Sequence, residues 1–477
     1  MHRLSWISAL TLLLVMGLTG CRENIGPSTG GLRFSCDTLS FDTVFTGAGT
    51  STRRVMLYNP TGETQYLERA WLTNGDHFKV NIDGETQLTE MSSISIAAGD
   101  SAYVFIKVYI DPTDATSLLY KEDDLFLTTR SGVTSSLHLE AIGWNVQRIH
   151  TPRLRSDYDS FTFTATHPWL IYDTIVVTGA VHLEAGARLY MHNNAAIYCG
   201  GDVRSEGTLL APVIIQGDRL DRLFDSVPYA YAAGQWNGIF LTPAYGSPTW
   251  QFDHTEIRSG RMGLYAYNDD LAQRPQLTLT NSRIHNHTKY GLILVNTDAY
   301  VANSEISNTA SYCLFSAGGE QVFEHTTIAS FFNHTNIRIQ STTRESVAAV
   351  YVDSINNGKT VASHVTFANC IIDGLQDNNL VLGDTLHQST VTAHHCYLHT
   401  DSVEDEHFYS NVYAHDKDTV FRQNYYRYKE YIYYDFELDS LSPARGIGDE
   451  NVMSRLPLDR NGVTRISPPD AGCYQYQ

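Results

Sequence analysis

Apolar and polar positions alternate in short runs along most of the chain, and the runs come in two styles. In residues 32–144 the alternation is strand-like and is broken by turn residues. Val55-Met56-Leu57-Tyr58 enters the turn Asn59-Pro60-Thr61-Gly62, and Phe78-Lys79-Val80-Asn81-Ile82 ends at Asp83-Gly84. Ala98-Gly99-Asp100-Ser101 launches a run from Tyr103 that halts at Asp111-Pro112, and Ser136-Leu137-His138-Leu139-Glu140-Ala141 stops before Gly143. These phrases predict a β-sandwich over residues 32–145. From about Phe161 the runs shorten to four or five residues with glycine-containing corners, as in Val181-His182-Leu183 and Val213-Ile214-Ile215-Gln216-Gly217. No helical stretch separates them, which suits the rungs of a solenoid better than a flat sheet.

The solenoid repeat has its own phrase, [His/Asn]-[Ser/Thr/Cys]-x-[Ile/Leu]. It occurs at His254-Thr255-Glu256-Ile257, Asn281-Ser282-Arg283-Ile284, Asn303-Ser304-Glu305-Ile306, His325-Thr326-Thr327-Ile328, Asn369-Cys370-Ile371-Ile372 and His395-Cys396-Tyr397-Leu398. The closing residues are spaced by 27, 22, 22, 44 and 26. The 44 is expected to be two periods of 22 with one phrase lost. The period is too short for tetratricopeptide or ankyrin units and fits a three-sided parallel β-helix. Two residues before each phrase stands Phe252, Leu279, Val301, Phe323, Phe367 or Ala393. From there to the closing Ile or Leu is an odd number of residues, so both can point inward only if the backbone bends between them. Stacking at about 4.8 Å per rung would set Asn281 over Asn303 as an asparagine ladder and Cys370 over Cys396 as buried thiols. About 12 such rungs over residues 166–440 would make a rod about 58 Å long, with residues 146–165 as a linker.

The N-terminus changes the picture from a fold to a location. Met1-His2-Arg3 is a short basic start, residues 4–18 are apolar and uncharged, and Leu18-Thr19-Gly20-Cys21 closes the run. This is the three-part layout of a secretory signal, shorter than the about 20 apolar residues of a membrane span. The last four residues resemble a bacterial lipobox, which implies cleavage of residues 1–20 and acylation of Cys21. Residues 21–31 then read as a polar tether. Cleavage removes one of the 33 basic side chains, Arg3, and none of the 52 acidic ones, so the net charge of −19 becomes −20. That balance excludes nucleic acid as a partner, since phosphates need concentrated Lys and Arg. The six remaining cysteines show no CxxC and no zinc-type spacing, so buried, unpaired thiols are expected.

Three phrases, "YNPTGE", "AAGDSAYVFIKVYIDP" and "LHLEAIG", resemble immunoglobulin-like domains of the HYDIN/ASPM type. The end of the chain, from Ser442-Pro443-Ala444-Arg445-Gly446 through Leu458-Asp459-Arg460-Asn461-Gly462 to Pro469-Asp470-Ala471-Gly472-Cys473, resembles the choice-of-anchor Q tail of bacterial β-helix proteins. Cys473 and Gln475 depart from that pattern. Together with "HLEAGARLYMHNNAAIYCGG" and "GQWNGIFL", the resemblance is to right-handed parallel β-helix lipoproteins of Bacteroidota. It implies an all-β chain: an Ig-like β-sandwich, then a pectin-lyase-like right-handed parallel β-helix, then a cap over residues 441–477. It also implies the cell envelope, with the outer membrane as the site of the lipid anchor and the facing side left open.

Chemistry is sparser. Polygalacturonases pair carboxylates across the scissile bond, and this chain has Asn296-Thr297-Asp298 and Arg338-Ile339-Gln340 but no adjacent acidic pair between them. Asp298 and Arg338 are therefore the catalytic candidates of a lyase or hydrolase alternative, with calcium as cofactor if the coil is a lyase. His285, His287, His394, His395, His399, His407 and His415 lack a partner at metal or triad spacing, and no metal site is expected. Tyr229, Tyr231, Trp236 and Trp250 are aromatics of a kind that stacks on sugar rings, with core packing expected instead for Trp236. Tyr425, Tyr426, Tyr428 and Tyr431 form the candidate glycan-binding surface. The expectation is a non-catalytic envelope lipoprotein whose coil binds a polysaccharide or an envelope protein; the alternatives are a polysaccharide lyase or hydrolase and a structural subunit of a surface assembly.

Overall fold

In a computed structural model the protein is all-β, with antiparallel sheets in its N-terminal part and a parallel β-helix after them. The structure describes residues 31–477 apart from 87, 89–93, 152–154, 225–226, 332–347, 357–358, 384–388, 415–418 and 424–433. The chain divides into two compact units, Met1–Trp144 and Asn145–Gln477. Among the described residues no helix is long and apolar enough to cross a membrane.

The first unit holds two sheets, in the strand orders Arg33–Phe34, Arg53–Tyr58, Ser101–Val108, Phe78–Ile82 and Thr38–Phe45, Thr134–Trp144, Leu119–Thr129, Gln65–Leu72, Ser95–Ile96. Alternation sorts the side chains as the pleat requires: Ala102, Val104, Ile106 and Val108 are buried while Tyr103 and Phe105 stay exposed. Asn59, at the head of "YNPTGE", is buried. Its amide donates to the carbonyls of Glu63, Ile96 and Ala97 at 2.8, 2.9 and 3.0 Å, and its Oδ1 accepts the Thr61 N–H.

The second unit winds into three parallel sheets. Among the described residues face 1 has eleven strands, from Gln147–Ile149 to Val412–Tyr413. Face 2 has nine, from Arg155–Tyr158 to Leu380–Leu382, and face 3 has ten, from Phe161–Phe163 to Phe408–Tyr409. The repeat phrase is the corner between face 3 and face 1. Its first residue is left-handed in all six cases: His254, Asn281, Asn303, His325, Asn369 and His395 have φ between 39° and 54°. Asn tolerates this region better than most residues because its side chain hydrogen-bonds locally. The reversal lets Leu279 and Ile284, or Phe323 and Ile328, both point inward despite the odd separation. The closing residues Ile257, Ile284, Ile306, Ile328, Ile372 and Leu398 then stack in register as one fully buried column. The second residue of the phrase points inward as well: the Thr255 N–H donates to Ser282 Oγ, the Ser282 N–H to Ser304 Oγ and the Cys370 N–H to Cys396 Sγ.

Several expectations change. The coil starts inside the stretch read as a linker: Arg155–Tyr158 is too polar to stand out in sequence, yet it pairs in parallel with Thr174–Val177. The spacing of 44 is one rung, because Thr327–Ser330 pairs directly with Ile371–Gly374. The extra length is split between an insertion from face 1 to face 2 and a hairpin, Ile355–Asn356 with Lys359–Thr360, from face 2 to face 3. The expected asparagine ladder is one link long: Asn303 Nδ2 reaches Asn281 Oδ1 at 3.4 Å but the Leu458 carbonyl at 2.8 Å. The tail over residues 441–477 runs back along the flank of the coil, covering the corner and face 1. Arg465 donates to Asn303 Oδ1, the Asp449 N–H to Asn369 Oδ1 and the Cys473 N–H to Thr327 Oγ1. Gly472 is required where the tail crosses, since a Cβ there would lie 2.7 Å from Ile371 Cδ1 and φ is 84°. Beneath the tail Phe331, Ile371, Tyr397, Phe421, Phe436 and Ala444 form a second apolar core. All six described cysteines are unpaired, and five of them are buried.

The corner should be costly to alter. Asn303→Val combines a left-handed β-branched residue with lost tail contacts and should destabilise by about 3 kcal/mol. Asn303→Gly keeps the backbone, loses the same bonds and should cost about 1–2 kcal/mol. Urea unfolding followed by near-UV circular dichroism checks both; equal losses would mean that φ does not matter there.

Candidate functional site

The outward side of face 2 carries an aromatic column. Strands Ala196–Cys199, Gly238–Leu241, Leu264–Tyr267, Leu292–Val295, Leu314–Ala317 and Val350–Asp353 pair in that order. Their register sets Tyr198, Phe240, Tyr265, Ile293, Phe315 and Tyr351 one above the next. Residues on either side of each point inward, as Ile197 and Cys199 do around Tyr198, so the pleat itself turns these rings outward. Tyr198 and Phe240 stack at 4.6 Å and 11°, Phe240 and Tyr265 lie 5.7 Å apart, and Phe315 and Tyr351 stack at 5.7 Å and 13°. Tyr312 widens the strip, 4.9 Å from Tyr351, and Tyr290 joins it 6.3 Å from Tyr312. Apart from Ile293, which is buried, the column's side chains are half-buried or, at Tyr198, exposed.

The column ends in an open depression of about 610 Å³ lined by Arg155, Thr174, Val176, Tyr198, Thr242 and Pro243, among others. The Arg155 guanidinium is matched there by Asp157, which it meets at 2.7 and 2.9 Å. Tyr267 OH donates to Asp269 at the strip's edge. A flat π surface with a rim of hydroxyls and a neutralised ion pair can hold an amphipathic ring whose faces are C–H and whose edges are hydroxyl.

Face 1 holds the densest charge, and it is covered. Arg283 Nε donates to Glu305 Oε1 at 2.8 Å, Tyr474 OH from the tail donates to Glu305 Oε2 at 2.6 Å, and His285 Nε2 meets Glu256 Oε1 at 2.9 Å. Burial pushes His285 down to about 4, with Arg283 adding to it. Burial would raise Glu305, but Arg283, with His285 and Arg460, outweighs it and holds the carboxyl at about 2. Glu305 is 1% exposed, so this network fastens tail to coil.

The residues singled out in the sequence scatter. Asp298 opens a face 3 strand, accepts the Glu320 N–H at 2.9 Å and faces Arg274 at 3.5 Å, while Asn296 donates to the Asp270 carbonyl. The tripeptide is thus a hydrogen-bonded corner. Arg338, Cys21, His415, Tyr425, Tyr426, Tyr428 and Tyr431 lie outside the described residues. His287 is buried against the Ile257 carbonyl, and His399 meets Asp373 at 2.7 Å. His407 is exposed, and His394 and His395 lie beside each other, 3.3 Å apart between their Nδ1 atoms. Trp236 and Trp250 are fully buried in the coil, and Tyr229 packs under the Arg219 guanidinium. The column's residues were missed, although all but Phe315 stand between two apolar residues of a short run, as in Leu264-Tyr265-Ala266 and Val350-Tyr351-Val352. That signal becomes visible only once the rungs are aligned.

No protein-family description matches the chain, and no curated protein is significantly similar to it. Among solved structures it is weakly similar to a secreted serine protease, VesC, from Vibrio cholerae, at 14% identity over 24% of each chain and a TM-score of 0.18. A family 123 glycoside hydrolase from Clostridium perfringens aligns at 10% identity over 26% of each chain, with a TM-score of 0.19. The ASH/PapD-like domain of human CEP192 aligns at 10% identity over 26% of this chain and 93% of its own, with a TM-score of 0.17. The chain thus spans about a quarter of the length of the first two, and none of the three bears on function.

The covered network predicts acid sensitivity. His285 has a folded value below its ordinary 6.5, so the unfolded chain binds the extra proton and stability falls as pH drops from about 6.5 toward about 4. Glu305, lowered from 4.5 to about 2, adds a second loss as pH falls below 4.5. Urea midpoints between pH 7 and 3 should fall in that order. Glu305→Gln, which strands Arg283, should cost about 3–5 kcal/mol at pH 7; an unchanged midpoint would contradict the buried pairing.

Proposed function

We propose that this is a lipid-anchored envelope protein whose coil binds a neutral polysaccharide along the aromatic column of face 2. The observation that carries the reading is the register-stacked set Tyr198, Phe240, Tyr265, Phe315 and Tyr351. Aromatic rings turned to solvent leave apolar area uncovered, and a fold that places them on five of six consecutive strands, with Ile293 between, has a use for the strip. Pyranose rings offer C–H faces of matching size, and the ring-to-ring steps of 4.6 and 5.7 Å are comparable to one sugar unit. The net charge of −19 disfavours acidic polymers, which makes a neutral chain the better ligand. Binding of this kind needs no calcium.

The anchor half of the reading rests on the lipobox-like residues before Cys21. Acylated with more than one chain, Cys21 would hold the protein firmly, and the sandwich follows it in sequence before the coil begins. Arg22-Glu23-Asn24 gives no firm instruction about which membrane leaflet receives it. Lineage with the Bacteroidota β-helix lipoproteins and a HYDIN/ASPM-type identity for the sandwich belong to the same proposal, supported by the quoted phrases and the all-β architecture.

Affinity electrophoresis of the purified protein against neutral and acidic polysaccharides should give retardation on a neutral one. Phe240→Ala or Phe315→Ala should weaken it about tenfold, roughly 1.4 kcal/mol. Reducing ends and unsaturated products, assayed with and without calcium, should not appear. If they do, the non-catalytic reading fails and Asp298 becomes the first residue to mutate. Cys21→Ser should leave the protein in the soluble fraction; continued membrane association would remove the lipid anchor from the account.

A further inference from the structure

Where the tail meets the last repeat corner, His394, His395 and Asp449 bring three donor atoms within 4.8 Å of one another. The two histidines are neighbours in sequence, yet their rings converge because His395 is the left-handed corner residue, with φ 53°. Their Nδ1 atoms lie 3.3 Å apart. That is the edge of a tetrahedron with metal–nitrogen bonds of about 2.0–2.1 Å, the length zinc adopts with imidazole. As neutral imidazoles the two rings share one proton between the facing nitrogens; with both protons on Nε2 the same geometry presents two lone pairs to a cation.

The surroundings hold these groups in place. The Tyr409 ring stacks on His394 at 5.1 Å and 2°. Asn369 Oδ1 accepts the Asp449 N–H at 2.7 Å, and its amide donates to the Asp449 carbonyl at 3.0 Å. One carboxylate oxygen of Asp449 caps the helix Glu450–Arg455 by accepting the Asn451 N–H, which leaves the other oxygen to a ligand. Arg455, on the helix that Asp449 caps, is paired with Glu324, which offsets its charge beside the site. Such outer contacts orient the ligands of metal sites.

We propose that His394 Nδ1, His395 Nδ1 and the Asp449 carboxylate form a zinc-type divalent cation site that staples the tail to the coil. Two imidazoles and one carboxylate suit zinc and its first-row neighbours rather than calcium or magnesium, which take oxygen ligands. All three groups are partly exposed, so water can supply a fourth ligand. The site lies away from the aromatic column, and its role is structural cohesion. It stands or falls independently of glycan binding.

The test titrates the full chain, purified in detergent without a histidine tag, with zinc and with cobalt as a spectroscopic substitute. One equivalent of zinc should bind, raise the melting temperature and be removed by a chelator. Cobalt should give the intense visible absorption of a tetrahedral nitrogen–oxygen site. His395→Asn keeps a residue that occupies this corner in three other rungs, and Asp449→Asn keeps a good helix cap, so both should stay folded. Each should weaken zinc binding at least about tenfold, as should His394→Gln. Absence of stoichiometric binding, equal zinc stabilisation in all three variants, or a thiolate-to-cobalt charge-transfer band would overturn the proposal.

Discussion

One left-handed residue turns the chain from face 3 to face 1, and the rest of the coil depends on it. Because it reverses the strand alternation at a single position, the side chains before and after it both enter the interior. The Ile/Leu column at the start of face 1 and the phenylalanine pair Phe323 and Phe367, 5.0 Å apart, can then stack rung upon rung. A non-glycine residue in this region is unfavourable by about 1–2 kcal/mol, and His or Asn recovers part of that by making hydrogen bonds. Four of the six corner residues do so with a neighbouring rung or with the tail, as Asn281 does with Asp253 and His325 does with the Gly472 carbonyl.

That corner also explains the tail. Its side chains project sideways, and the outward positions of face 1 next to it are either apolar, as at Ile371 and Tyr397, or charged, as at Arg283 and Glu305. Left bare, the apolar ones would form an exposed patch of the kind that invites association. The tail covers both kinds in one pass: Ala444 and Cys473 join Phe421 and Phe436, from the strands just before it, over the apolar end, and Tyr474 and Arg460 take the charged end. A segment that resembles an anchor-associated cap is therefore a lateral cover, and it leaves face 2 as the face with exposed aromatic rings in a row.

The coil was legible in the sequence because its repeat phrase carries a steric rule, and the odd separation between inward residues already demanded a bend. The first rung was not, since Arg155-Ser156-Asp157-Tyr158 lacks apolar alternation and its inward Ser156 is satisfied by the buried Asp173 carboxylate. The single rung with 44 residues between phrases was misjudged because length alone cannot distinguish an insertion from a lost phrase. Asn303 does reach Asn281, as its column requires, but its shorter bond was missed: nothing local announces a carbonyl 155 residues away. The aromatic column escaped for a related reason. Tyr198, Phe240 and Tyr265 are partners on successive rungs, but stretches of unequal length separate them, so no fixed period brings them into one column.

If the aromatic column is where a polysaccharide binds, face 2 is the working surface of the coil. Hydroxyl-radical footprinting, which reports side-chain exposure directly, tests this most plainly with the protein alone and with a polysaccharide that retards it. Protection of Tyr198, Phe240, Tyr265 and Phe315 is expected, with Tyr66, Tyr103 and Tyr409 oxidised as before. Protection confined to other side chains, or no protection by any polysaccharide, would contradict it.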